Sequence, residues 1–98
     1  MKRVAYHRLA AKELVKSALF YDSRRAGLGD EFVSEVDVAV AGVRANTDLG
    51  RRGVHGTQSC RTKRFPFRQV YLVQPDRIWI VAVAHLSRRP GYWAGRVK

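Results

Sequence analysis

A chain of 98 residues, 46% hydrophobic and with only three prolines, fits one domain over residues 1–98, with a core sufficient for a single sheet carrying helices on one face. Its apolar runs fall far short of the ~20 residues that cross a bilayer, no apolar stretch follows the basic start at Lys2-Arg3, and the single cysteine, Cys60, excludes an internal disulfide framework or a cysteine-based zinc finger; a cytoplasmic protein with no secretory signal and no membrane association is expected. Nineteen basic against eight acidic residues give a net charge of +11, and the excess is one-sided: residues 1–48 carry eight basic and seven acidic side chains, residues 49–98 eleven and one.

Val4 to Tyr6 reads as a short strand. From Leu9 the apolar period changes: Ala11, Leu14, Val15, Ala18 and Leu19 form one helix face, with Lys12, Glu13 and Lys16 on the other side. Ala26-Gly27-Leu28-Gly29 stops this helix, because glycine suits the positive φ of a helix C-terminus. Asp30 is expected as the N-cap of a second helix, with Glu31 in its first turn. Phe32, Val33, Val36, Val40 and Val43 are its buried stripe, and Glu35 and Asp37 lie outside it. The tight turn predicts an antiparallel helix hairpin.

Residues 46–58, with three glycines, are expected to form a loop. Cys60 to Arg64 and Phe67 to Gln74 alternate as strands, Pro75-Asp76 supplies a turn, and Ile78 to Ala84 reads as a central strand covered on both faces. A short basic tail runs from Ser87 to Lys98. The predicted class is α+β: an N-terminal strand, a two-helix antiparallel hairpin, a three-stranded antiparallel meander and the tail.

The basic half suits a polyanion, whether RNA, DNA or an acidic protein. Its densest cluster is Arg61-Thr62-Lys63-Arg64-Phe65-Pro66-Phe67-Arg68-Gln69-Val70-Tyr71. Strand alternation places Arg61 and Lys63 on one face and Arg64 on the other, with Arg68 in the next strand. Guanidinium forks match phosphate oxygens, whereas Phe65, Phe67 and Tyr71 are expected in the core. His85 ends the central strand, by alternation on the face of Trp79, Val81 and Val83. Two readings are open for it: a general acid or base, or a buried neutral imidazole satisfied by the backbone. Cys60 reads as a small strand residue. The histidines lack metal-ligand spacing, so no metal or other cofactor is expected, and no phosphate-binding glycine loop or carboxylate pair lies in the basic half.

The element order, the segment Phe65-Pro66-Phe67-Arg68-x-Val70-Tyr71, the closing His85-x-x-Arg88-Arg89-Pro90-x-Tyr92-Trp93-x-x-Arg96 and the helix start Gly29-Asp30-x-Phe32 together resemble the RelE/ParE toxin superfamily, over nearly the whole chain. The resemblance implies the toxin of a bacterial type II toxin–antitoxin module. It also implies a small cognate antitoxin whose acidic amphipathic segment lies across the basic sheet and helix hairpin.

What the toxin acts on divides the superfamily. RelE-like members cleave messenger RNA in the ribosomal A site without metal, the ribose 2′-hydroxyl attacking the adjacent phosphate. On that reading Arg61, Lys63, Arg68 and His85 match catalytic positions. ParE-like members inhibit DNA gyrase and are not nucleases. The Arg-Pro-x-Tyr-Trp ending is closer to these plasmid-stabilisation sequences, which makes Arg88, Arg89, Tyr92, Trp93 and Arg96 target-binding residues; Arg64, in the basic cluster, is a further candidate for binding nucleic acid or the target. The nuclease is the leading expectation and gyrase inhibition the alternative. A non-toxic basic nucleic-acid-binding module is a further one.

Overall fold

A computed structural model describes residues 2–97; Met1 and Lys98, the two ends of the basic termini, lie outside the described residues. The chain runs β1 (Arg3–Tyr6), α1 (Arg8–Arg24), α2 (Leu28–Ala45), β2 (Arg51–Arg52), β3 (Gln58–Arg61), β4 (Phe67–Val73) and β5 (Arg77–His85), with single 3₁₀ turns at Thr47–Leu49, Val54–Gly56 and Ala94–Arg96. The sheet order is β1-β5-β4-β3-β2. β1 lies parallel to β5 and every other pair is antiparallel. The α+β class and the helix hairpin are as expected, and β5 lies inside the sheet, between β1 and β4.

The helices cover one face. Phe32, Val36, Val40 and Val43 of α2 are buried, as the stripe predicts, against Tyr71, Ile78 and Ile80. A cluster of tilted and edge-on rings, Tyr21, Phe32, Phe65 and Phe67, fixes the hairpin over the sheet. The other face has a smaller core: Trp93 of the tail packs on Val70, Val81, Ala82 and Ala84. β5 is therefore covered on both sides.

Five local expectations need correction. The buried face of α1 is Ala10, Leu14, Ala18 and Tyr21; Val15 and Leu19 are 59% and 65% exposed. The apolar positions of α1 exceed one face, and packing against α2 selects among them. Second, α2 begins at Leu28 with Gly27 as its cap at φ +86°, so Asp30 lies inside the first turn. Asp22 of α1 does the capping across the hairpin, its Oδ1 accepting from the Gly29 amide at 2.8 Å.

Third, residues 46–58 hold two 3₁₀ turns and the edge strand β2. Two exposed arginines between glycines show no alternation, but their charge suits a sheet edge. Fourth, β3 ends at Arg61. The buried Thr62 hydroxyl donates to the Phe65 carbonyl at 2.6 Å, so Lys63 and Arg64 sit in the β3–β4 turn and follow no strand alternation. Fifth, the β4–β5 register shifts where Val70 opposes Ala82 and Tyr71 opposes Ile80. Val81 is the extra residue of a β-bulge, and the bulge reverses the faces beyond it. His85 therefore shares the helix face with Val83 and packs edge-on to Phe67, at 5.1 Å between ring centres, while Trp79 and Val81 face the tail.

Candidate nucleic-acid interface

Register decides which cations share a face, since directly opposed residues point the same way. Arg61 opposes Arg68, and Arg68 opposes Ala84; Arg51 opposes Ser59, and Ser59 opposes Val70. Arg51, Arg61 and Arg68 therefore all stand on the face away from the helices. The tail leaves β5 through the turn after His85 and folds back over that face. An open groove of about 280 Å³ lies between them, lined by Ser59, Arg68, His85, Arg88, Arg89 and Tyr92 among others. Among the described residues, no carboxylate lines it.

Each wall has a definite anchor. Arg68 Nη1 donates to Ser59 Oγ at 2.9 Å, which aims the guanidinium along the sheet. Arg88 stacks over the Tyr92 ring, its Cζ 3.9 Å from the centre. Tyr92 is fixed in turn: its hydroxyl donates to Glu13 Oε2 at 2.7 Å. Glu13 also receives both terminal nitrogens of Arg96, at 3.0 and 2.9 Å, and the Val83 amide at 3.0 Å. Arg96 Nη1 reaches the Val81 carbonyl at 2.9 Å. β1 pairs β5 only as far as Ile80, so this ion pair satisfies the strand edge that β1 leaves open. Burial opposes ionisation of Glu13, but the hydrogen bonds from Arg96, Tyr92 and Val83 outweigh it and hold its carboxyl below the usual range.

His85 stands at the groove's rim. Its Nδ1 lies 3.0 Å from the Ser87 amide and 2.7 Å from Ser87 Oγ. An amide can only donate, so the neutral ring in this arrangement carries its proton on Nε2. Ser87 Oγ stands ready to accept from Nδ1 if the tautomer changes.

The predicted residues thus divide. Arg68, His85, Arg88, Arg89 and Tyr92 meet in the groove, and Arg61 extends it along the same face. Trp93 also lines it but is buried as the anchor of the second core, and Arg96 is held inside by Glu13. Lys63 lies in the β3–β4 turn outside the lining. Arg64 is held from beneath by α2. Its amide donates to Glu35 Oε1 at 2.9 Å, its Nη1 to Glu31 Oε1 at 3.2 Å, and its Nε to Glu35 Oε2. Those bonds, the backbone one foremost, keep the Glu35 carboxyl below its usual range. Cys60 is half-buried, and burial pushes its thiol up to about 11, as suits a packing residue.

Arg51, Ser59, Ser87 and Glu13 were not singled out by sequence. Arg51 is one more arginine in a glycine-rich stretch, and Glu13 sits on the helix side opposite the predicted apolar face. Among the described residues, no group of three or more His, Cys, Asp and Glu is placed to hold a metal ion, and no helix is long and apolar enough to cross a membrane.

No family model matches the chain, and no curated protein matches it. A solved structure is similar: a chain described as "Chromosomal ParDE TA system from P. aeruginosa" shares 23% identity, with 87% of this chain and 96% of that one covered, at a TM-score of 0.66. The chain thus has the RelE/ParE-type fold that the sequence motifs imply.

Proposed function

We propose that this chain is the toxin of a type II toxin–antitoxin module and acts as a metal-independent endoribonuclease on messenger RNA at the ribosome. One observation carries the reading: Arg68, His85, Arg88 and Arg89 converge on a single groove free of acid, with Arg61 and Arg51 continuing the same face. A surface of that kind binds a phosphodiester backbone through charge-assisted bonds.

The chemistry needs little beyond placement and a proton carrier. The ribose 2′-hydroxyl attacks the adjacent phosphorus, the 5′-oxygen leaves, and the products are a 2′,3′-cyclic phosphate and a 5′-hydroxyl. The arginines neutralise the charge that grows on the non-bridging oxygens. His85, the imidazole of the groove, gives its Nε2 proton to the leaving 5′-oxygen, and the 2′-hydroxyl proton passes to water. The Ser87 amide, donating to Nδ1, keeps that proton on Nε2. Resemblance to the RelE-like branch supplies the ribosomal site of action.

Expression of the protein should create new, codon-phased 3′ ends in messenger, mapped by primer extension, and a His85→Asn variant should not. Growth arrest with intact messenger would refute the nuclease.

A second reading, inhibition of DNA gyrase, is favoured by the likeness to a ParDE chain and by the Arg-Pro-x-Tyr-Trp ending. Loss of supercoiling by purified gyrase at micromolar protein would establish it. Either toxin is neutralised by an acidic antitoxin segment laid on the cationic face, with an affinity that falls as salt rises.

A further inference from the structure

We propose that the concavity between α1 and the end of β5 binds the base of the nucleotide next to the phosphate held in the cationic groove; this rests on the RNA reading above. This second hollow is on the helix side of the sheet. Its volume is about 360 Å³, within the range of small-ligand sites. Phe20, Tyr21 and Phe67 give it an aromatic lining, and Lys16 and Arg88 give it cations.

His85 and Arg88 line both this hollow and the groove. A phosphate at that shared wall has one nucleotide running past Arg68 and Arg89, and its neighbour's base enters the hollow. The one carboxylate present, Glu13, has both oxygens committed to Arg96, Tyr92 and Val83, so it leaves no uncompensated charge to repel an anion.

Phe20 is the informative side chain. It is 51% exposed, outside the core, with Arg24 over its ring at 4.9 Å from the centre. An exposed phenylalanine beside cations, at the rim of a hollow continuous with a phosphate groove, fits a stacking platform. Aromatic faces accept any base, so the hollow should favour a base over none without choosing among sequences.

The test uses the purified full chain at low salt and two short probes. One is an adenine dinucleotide with a 2′-deoxy first sugar, which cannot be cleaved. The other has the same backbone with the second base removed. Titration calorimetry should show the base-bearing probe binding roughly tenfold or more tighter. Phe20→Ala should erase that advantage and leave the abasic affinity unchanged, and Arg88→Ala should weaken both. Phe20→Leu, which keeps apolar bulk without the ring, serves the same purpose if the alanine variant fails to fold. Equal affinity for the two probes, or an advantage that survives both Phe20 variants, overturns the base subsite and leaves the phosphate groove standing. Failure of both probes to bind overturns the subsite together with the RNA reading.

Discussion

Arg61 and Arg68 stand directly opposite each other across β3 and β4, two guanidinium groups on one face of the sheet with no ion-pair partner for either among the described residues. Like charges in that position oppose folding by a fraction of a kcal/mol, up to about 1 kcal/mol. Such a pair makes sense as a surface completed by an anion. Arg61→Gln should therefore leave urea stability unchanged or raise it slightly, while it weakens binding to single-stranded RNA. The slope of log affinity against log salt should fall by about 0.7 for the cation removed. A destabilised variant with unchanged RNA affinity would contradict the role of this pair.

Arg64 provides the contrast. Its charge is already matched by Glu31 and Glu35 on α2. Arg64→Ala should leave RNA affinity within about twofold of the parent and urea stability little changed, because exposed ion pairs contribute little. Filter binding and urea denaturation, run beside Arg68→Ala, give the comparison.

Glu13 joins α1, the open edge of β5 and the tail. Glu13→Gln leaves the Arg96 guanidinium largely buried without its counter-ion, and should destabilise by about 3 kcal/mol in urea denaturation. The pH dependence follows from the depressed carboxyl of Glu13. Its contribution is complete above the unfolded value of ~4.3 and is lost as pH falls through the lower folded value. The gap between wild type and Glu13→Gln should therefore be constant near neutrality and shrink below about pH 4.

The Ser87 amide governs which nitrogen of His85 carries the proton in the proposed reaction. Ser87→Ala keeps that amide and removes only the hydroxyl beside Nδ1. Cleavage should stay within about threefold of the parent with RNA affinity unchanged, whereas His85→Asn should lose about 10²–10⁴ in rate. Single-turnover cleavage measurements separate rate from affinity.

At Gly29, α2 lies tight against α1. A Cβ there would meet the Ala18 carbonyl oxygen and stand 2.8 Å from the Asp22 carboxyl. Gly29→Ala should cost about 1–3 kcal/mol by overpacking, and should also disturb the Asp22 cap. A thermal melt lowered by several degrees is expected; an unchanged melt would mean that the hairpin can open at no cost.

Charge, period and turn chemistry were sufficient to determine the α+β order, the hairpin, the valine stripe of α2 and the gathering of cations after residue 48, because each is a local or additive property of the chain. The closing His-x-x-Arg-Arg-Pro motif likewise pointed to the tail. Tertiary structure alone decided the rest. Packing against α2 chose Ala10 and Tyr21 over Val15 and Leu19. A single bulge at Val81 moved His85 to the other face from Trp79 and Val81. The β3–β4 register set Arg61 against Arg68, while α2 drew Arg64 away from the groove and Glu13 drew Arg96 into the interior. Each of these turns on which residue lies opposite which across tens of positions of chain, and one inserted residue or one distant carboxylate reverses it, so no local pattern in the sequence records it.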